Sequence, residues 1–346
     1  LIVRLVLYMT DLYNYDLTAH NTFGINARCK RYVAFDNVEE AQTVLPSLVA
    51  SGEQLLILGG GSNLLLTADY NGTVVHSRIL GVQSSDDGAD HVLLRSGSGV
   101  VWDELVAQCV AENLHGAENL SLIPGEVGAS AVQNIGAYGA EVKDLITEIE
   151  AIEIKTGHLV YITNAQCEYA YRQSRFKKDW KDRFFITHVT YRLSRNFVPH
   201  LDYGNIRGAL AEKGIATPTP SELRQIIIDI RNEKLPDPKV EGNAGSFFMN
   251  PIVERGQFEA LQKLYPNMPH YIIDNEHVKI PAGWMIEQCG WKGKTLGRAG
   301  VHHKQALVLV NKGGADGKEV LALCQQIQLD VQAKFGIAIH PEVNIR

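Results

Sequence analysis

The apolar run Gln54-Leu55-Leu56-Ile57-Leu58 stops in three consecutive glycines, Gly59-Gly60-Gly61, followed by Ser62-Asn63-Leu64. A strand that runs into glycines leaves several backbone N–H groups able to converge on an anion, and the Ser62 hydroxyl is a further donor. An ordinary tight turn is the competing reading of one such cluster. A second glycine-rich segment moves the balance. It runs Ile123-Pro124-Gly125-Glu126-Val127-Gly128-Ala129-Ser130 and continues through Gln133-Asn134-Ile135-Gly136-Ala137-Tyr138-Gly139. Its amides and tyrosine are the groups that hydrogen-bond and stack on a flat heterocycle, while pyrophosphate suits the first cluster. Neither segment shows Gly-x-Gly-x-x-Gly at the mouth of a helix followed by an acidic residue, which disfavours a Rossmann site.

A third small-residue stretch, Gly242-Asn243-Ala244-Gly245-Ser246-Phe247-Phe248-Met249-Asn250-Pro251, presents one hydroxyl between glycine and aromatic neighbours. Ser246 lacks the Gly-x-Ser-x-Gly elbow of a hydrolase nucleophile, and no Lys or His stands at a known serine-nucleophile spacing. A serine of that kind still has a proton to donate.

The 346 residues, 45% of them hydrophobic, are enough for a substantial core and for two or three domains. A formal net charge of -6 argues against chain-wide attraction to nucleic acid or an anionic membrane. The five cysteines are scattered and form no Cys-x-x-Cys pair, which fits a reducing compartment and supplies no disulfide or metal framework. The adjacent pair His302-His303 does not converge on one metal from regular structure, so no metal site is expected. Residues 1–7 are apolar except for Arg4, too short to span a bilayer, and lack a small-residue cleavage site. Residues 1–8 read as an extension ahead of Met9, and loss of folding or of cofactor on their deletion would overturn that reading.

Periodicity predicts helices over 38–50, 101–113, 221–233, 257–264, 281–289 and 318–335. Strands are expected at 73–76, 91–95, 149–155, 159–162, 184–193 and 306–311, with a short closing strand over 337–345. The main domain break is placed at Leu235-Pro236-Asp237-Pro238, where two prolines end the preceding helix. Residues 171–183 read as polar and irregular. The run from Arg175 to Arg183 interleaves Phe176 and Trp180 with basic residues, but Asp179 and Asp182 interrupt it, which favours a solvated loop over a nucleic-acid face. Taken singly, Arg172 reads as a surface arginine, Glu342 as an exposed terminal glutamate, and His302 and His303 as loop hydrogen-bonders.

In combination these segments resemble the UDP-N-acetylenolpyruvoylglucosamine reductases, the flavoenzymes of bacterial peptidoglycan precursor synthesis often called MurB. The likeness extends from Asn21-Thr22-Phe23-Gly24-Ile25 to Pro341-Glu342-Val343, and five motifs in order carry it: Leu58 to Leu64, Ile123 to Gly139, Tyr171-Arg172-Gln173-Ser174-Arg175-Phe176-Lys177, Lys234 to Lys239, and Gly242 to Pro251. Leu201-Asp202-Tyr203-Gly204 is similar to the subtype that carries a tyrosine loop over its substrate. Met249 stands where many members have lysine, and His340 where many have glutamate.

The resemblance implies an α+β fold, with a two-part FAD-binding region of the vanillyl-alcohol-oxidase/PCMH type and a C-terminal α/β substrate-binding domain. The corresponding map is 1–10 as extension, 11–78 and 79–234 as FAD-binding subdomains, the second carrying the Tyr203 loop, 235–336 as substrate domain, and 337–346 as a strand returning to the active site. FAD would be held by Ile57, Leu58, Gly59, Gly60, Gly61, Ser62, Asn63 and Leu64, and by Pro124, Gly125, Gly128, Ala129, Gln133, Asn134, Gly136, Ala137 and Tyr138. Arg172, Ser246 and Glu342 take the catalytic positions, and Tyr171, Tyr203, Lys234, Asn250, Lys292 and Gln305 the substrate-binding ones. The implied reaction uses NADPH to reduce UDP-N-acetylglucosamine enolpyruvate to UDP-N-acetylmuramate, in a cytoplasmic monomer without nucleic-acid or membrane partners. Another FAD-dependent oxidoreductase of the same fold and a serine hydrolase are the alternatives.

Overall fold

The computed structural model describes residues 9–346; the expected extension, residues 1–8, lies outside the described residues. The chain divides into two compact units. The first comprises residues up to Tyr15, Arg28–Gly60 and Tyr70–Glu233, and the second Asp16–Ala27, Gly61–Asp69 and Lys234–Arg346.

The first unit holds two sheets. In one, Leu55–Leu58 and Arg28–Phe35 pair in parallel on either side of Tyr70–Ser77, and Thr10–Asp16 forms the far edge. Parallel pairing requires a crossover. The helix Val38–Ala50 supplies it, started by Asn37, whose side chain accepts from the Glu40 N–H at 2.9 Å. The other sheet is antiparallel, in the order Leu159–Thr163, Ile146–Glu153, Phe184–Ser194, His91–Gly97, Val82–Asp87. Alternation along its strands turns Leu94, Ile149, Val189 and Tyr191 to one face. That face packs against the helices Trp102–Ala111 and Val127–Gln133.

The run from Arg175 to Arg183 departs from the expected solvated loop. Phe176 and Trp180 are buried with that core, and the Arg175 guanidinium lies over the Trp180 ring, 4.1 Å from its centroid. The aromatic residues decide the outcome, since burying two such side chains outweighs exposing the lysines around them.

The second unit is built on the antiparallel sheet Asn243–Ser246, Val308–Asn311, Ala299–Val301, Thr295–Leu296, covered by the helix Gly317–Phe335. A capping box between Asp316 and Glu319 starts this helix, and Gly336, at φ +65°, ends it. The closing strand is shorter than expected: only Asn344–Ile345 forms it, pairing in parallel with Leu64–Leu65. Pro341 has no N–H for a ladder, so the segment before it attaches through single bonds instead. Phe248 makes an isolated bridge to Pro341, and the Glu342 N–H donates to Phe247 O at 2.8 Å. Among the described residues, no helix is long and apolar enough to cross a membrane and no cluster could hold a metal.

Candidate active site

In the first unit the two glycine segments meet. A Cβ on Gly59 would lie 3.2 Å from the Ala129 Cβ, and one on Gly60 would lie 3.3 Å from the Gly125 Cα, so side chains there would force the loops apart. The second segment is fixed from behind. Gly125 O accepts from Trp102 N–H at 3.0 Å, and the Val127 and Gly128 N–H groups donate to Val100 and Ser98, each at 2.9 Å. Pro124 and Gly125 thus lead into a short helix, Val127–Gln133, whose start lies beside Gly59 and Gly60.

Asn134 ends that helix in the left-handed region, φ +47°. Its side chain is fully buried and committed to the protein: Nδ2 donates to Ala170 O at 2.9 Å and to Glu141 at 3.2 Å, and Oδ1 accepts from Lys143 N–H at 3.2 Å. Ala170 and Gln173 exchange backbone hydrogen bonds, both 3.0 Å, leaving Tyr171 and Arg172 at the tip of a tight turn. Arg172 has φ +54° there, a conformation that non-glycine residues adopt where the surroundings impose it. Its guanidinium bonds to Gly136 O and Asn134 O and rests over the Tyr171 ring, 5.1 Å from the centroid. Lys177 crosses from Gln133 Oε1 (2.9 Å) to Arg172 O (3.1 Å).

Tyr138 is a third left-handed residue, φ +48°. Tyr203 packs beside it, its Cβ 3.2 Å from where a Gly139 Cβ would sit. Gly136 and Ala137 pair with Glu141 and Ala140 in the hairpin between them.

In the second unit, Thr22 ties the rest of the triple-glycine loop to the Ser246 strand. Its N–H donates to Gly61 O at 3.1 Å and its hydroxyl to Asn243 O at 2.6 Å. Gly61, at φ +65°, leaves no space for a side chain, because a Cβ would fall 2.0 Å from His20 O. The strand Asn243–Ser246 carries a register shift against Val308–Asn311, with Gly245 at φ +68°. Such a bulge re-aims the residue that follows it. Ser246 emerges exposed, and the next residue, Phe247, takes the Glu342 N–H. Asn63 joins the same group, donating weakly to Glu342 O at 3.4 Å and accepting from Asn344 N–H at 3.1 Å. Ser62, Asn63, Leu64, Ser246 and Glu342 are thereby gathered in one place. Ser246 lies where strand passes into coil, without the strand-to-helix elbow a hydrolase serine needs.

Asn250 and Gln305 both meet the helix Ala282–Gln288 at its start. Asn250 Oδ1 accepts from Ala282 N–H at 2.9 Å, and Gln305 Oε1 accepts from Leu307 N–H at 3.3 Å while lying 3.2 Å from a Gly283 Cβ position. Lys292 lies beyond the other end of that helix and pairs with Glu287 at 3.0 Å. Lys234 is exposed at the end of Pro220–Lys234. His302 is buried against Glu241, 3.0 Å away, and burial pushes its pKa below the usual histidine range.

Three neighbours of these residues carried no sequence signal. Arg231 has an Nε buried without a hydrogen-bond partner among the described residues, and its charge is felt by Tyr138, Asp103 and Arg172. Burial pushes its pKa down. Glu126 turns its carboxylate towards Gly59 and pairs with His76 at 3.0 Å, which in turn contacts Tyr32 OH at 2.7 Å. Asn119 is buried beneath Tyr138. Helical spacing exposes none of these, because each relation joins segments remote in sequence.

Two glycine loops packed too closely for side chains at Gly59 and Gly60 to be added without displacement leave backbone open to a dinucleotide pyrophosphate. Residues 29–163 match the FAD binding domain family. Together with the relatives that follow, this makes the chain an FAD-dependent oxidoreductase. Residues 237–346 match the C-terminal domain of UDP-N-acetylenolpyruvoylglucosamine reductase. The protein of that name from Bacteroides fragilis is 56% identical over 334 residues, covering 95% of this chain and 98% of its own length. The Flavobacterium johnsoniae reductase is 46% identical over 333 residues, covering 96% and 98%. The chain belongs to the UDP-N-acetylenolpyruvoylglucosamine reductase family. The crystal structure of the Thermus caldophilus reductase (MurB) shares the fold, with a TM-score of 0.67 at 20% identity over 98% of this chain and 99% of that one.

Proposed function

We propose that the protein reduces UDP-N-acetylglucosamine enolpyruvate to UDP-N-acetylmuramate at the expense of NADPH. The observation that supports this best is the joining of Ser246, Glu342 and the Gly61–Leu64 loop through Thr22 and Asn63. When bound, FAD supplies the hydride, taken from NADPH and delivered to C3 of the enolpyruvyl group.

Arrival of that hydride drives charge towards the substrate carboxylate. Arg172, held by Asn134 and Gly136, stabilises the enolate as a fixed cation, and Arg231 adds a second positive charge to the field around it. Ser246 gives its hydroxyl proton to C2, completing the lactyl ether, and its exposed position lets water restore the proton. Glu342, bonded through its backbone to Phe247, orients that serine. Asn250 and Gln305 are anchored by their oxygens, which fixes the direction of their NH2 groups for an anionic diphosphate; Lys234 and Lys292 contribute charge. In the first unit Tyr171 and Tyr203 are sugar-nucleotide contacts, Tyr203 on the substrate loop of its subtype.

In this reading residues 11–78 and 79–234 are the FAD-binding parts and residues 235–336 the substrate part, working as a monomer in the cytoplasm. The described cysteines are all free thiols, in keeping with that compartment. Purified holoenzyme should show the absorbance bands of oxidised flavin, lose them on addition of NADPH, and regain them without oxygen when the enolpyruvyl sugar nucleotide is added. A flavin-loaded protein that leaves that substrate unreduced would sink the assignment.

A further inference from the structure

The two amide hydrogens of Asn119 reach in different directions. One goes to Tyr138 O at 2.8 Å, the other to His200 O at 2.9 Å. The first acceptor belongs to the second glycine-rich segment, at a residue held at φ +48°. The second lies three residues before Tyr203. Asn119 is 3% exposed, so neither bond competes with bulk water.

Its own position is fixed. It is the middle residue of the turn Glu118–Leu120, in which the Glu118 carboxylate accepts from Gly116 N–H at 2.8 Å and contacts His115 Nδ1 at 3.0 Å. Trp102 Nε1 donates to Leu120 O at 2.9 Å on the other side. The two segments that Asn119 holds also touch each other. Tyr138, Phe197 and Leu201 pack against the same core cluster, built of Ile206, Leu210, Leu223, Ile226, Ile227 and Ile230, and a Cβ on Gly204 would come within 3.7 Å of the Tyr138 ring.

From this geometry we infer that Asn119 is a positioning residue for substrate binding. It clamps the Tyr138 turn and the approach to Tyr203 into one piece, so that order on the cofactor side is transmitted to the loop. Two bonds from a single rigid amide make the two segments move together or not at all. The inference rests on the proposed role of Tyr203 for its effect on affinity, but the clamp itself does not.

The test uses FAD-loaded Asn119→Ala, Tyr203→Phe and the double variant. Hydrogen exchange across residues 198–204 should speed up in Asn119→Ala while flavin content is kept. Binding of UDP-N-acetylglucosamine enolpyruvate, read from the flavin spectrum, should weaken about tenfold, the scale of losing two hydrogen bonds. The double variant should bind no worse than the weaker single one, since Asn119 acts on affinity through Tyr203. Unchanged exchange would overturn the clamp, and losses that multiply would overturn its action on substrate through Tyr203. If Tyr203→Phe alone leaves affinity unchanged, the role of Tyr203 falls, and the exchange result still decides the clamp. If the alanine variant loses flavin, Asn119→Ser, which admits a water to the two carbonyls, carries the same readouts.

Discussion

Arg172, Asn134 and Tyr138 all hold left-handed backbone, and all lie within one small region of the first unit. Each such conformation costs on the order of 1–3 kcal/mol, and the buried bonds of Asn134 and Asn119 offset it. Ser246 depends on the same kind of support from Gly245, whose positive φ turns the strand. Replacing Ser246 by alanine should slow reduction of the enolpyruvyl substrate by roughly 10²- to 10⁴-fold and leave reduction of the flavin by NADPH unchanged, as stopped-flow on each half-reaction would show. Equal slowing of both would remove the serine from the proton-transfer step. Ser246, Arg172 and Glu342 were marked in the sequence by motifs. Arg231, Glu126 and Asn119 were not, because nothing local marks a residue whose partners lie 19 and 81 positions away, as those of Asn119 do.

At the scale of elements, the sequence was most legible where a cap and a period agree. The helix Val38–Ala50 falls where it was expected because Asn37 starts it and its apolar positions recur at helical spacing. The helix Val127–Gln133 went unread, since Gly128, Ala129 and Ala131 give it little period and tertiary anchoring does the rest. The closing segment erred the other way: an alternating pattern read as nine residues of strand yields only Asn344–Ile345 once Pro341 has removed a ladder donor. Gly128 tests the anchoring. A Cβ there would lie 2.8 Å from the Ser98 Cβ, so Gly128→Val should cost about 1–3 kcal/mol and release flavin, seen as a lower melting temperature and a lower ratio of flavin to protein absorbance.

For the whole molecule, the response to acid is set in part by the antiparallel sheet. Burial alone would raise the pKa of Glu150, but hydrogen bonds from His188, Thr187 and Arg95 outweigh it and hold the carboxyl at about 2, against an ordinary 4.5. A depressed folded-state pKa stabilises the fold above the unfolded value and loses that contribution as pH falls towards the folded one. Between pH 5 and pH 3 urea unfolding should therefore report a loss on the order of 2 kcal/mol from this group, and Glu150→Gln should flatten that slope. A variant with the same slope as the parent would show that other carboxylates govern it.

The pairing of Asn344 with Asn63 has a consequence in time. These residues are 281 positions apart, so at roughly 5–20 residues per second a ribosome needs on the order of 15 to 55 seconds between making the glycine loop and making the strand that covers it. Throughout that interval Leu64 and Leu65 wait without their native neighbour, and the newborn chain depends on whatever else can shelter them.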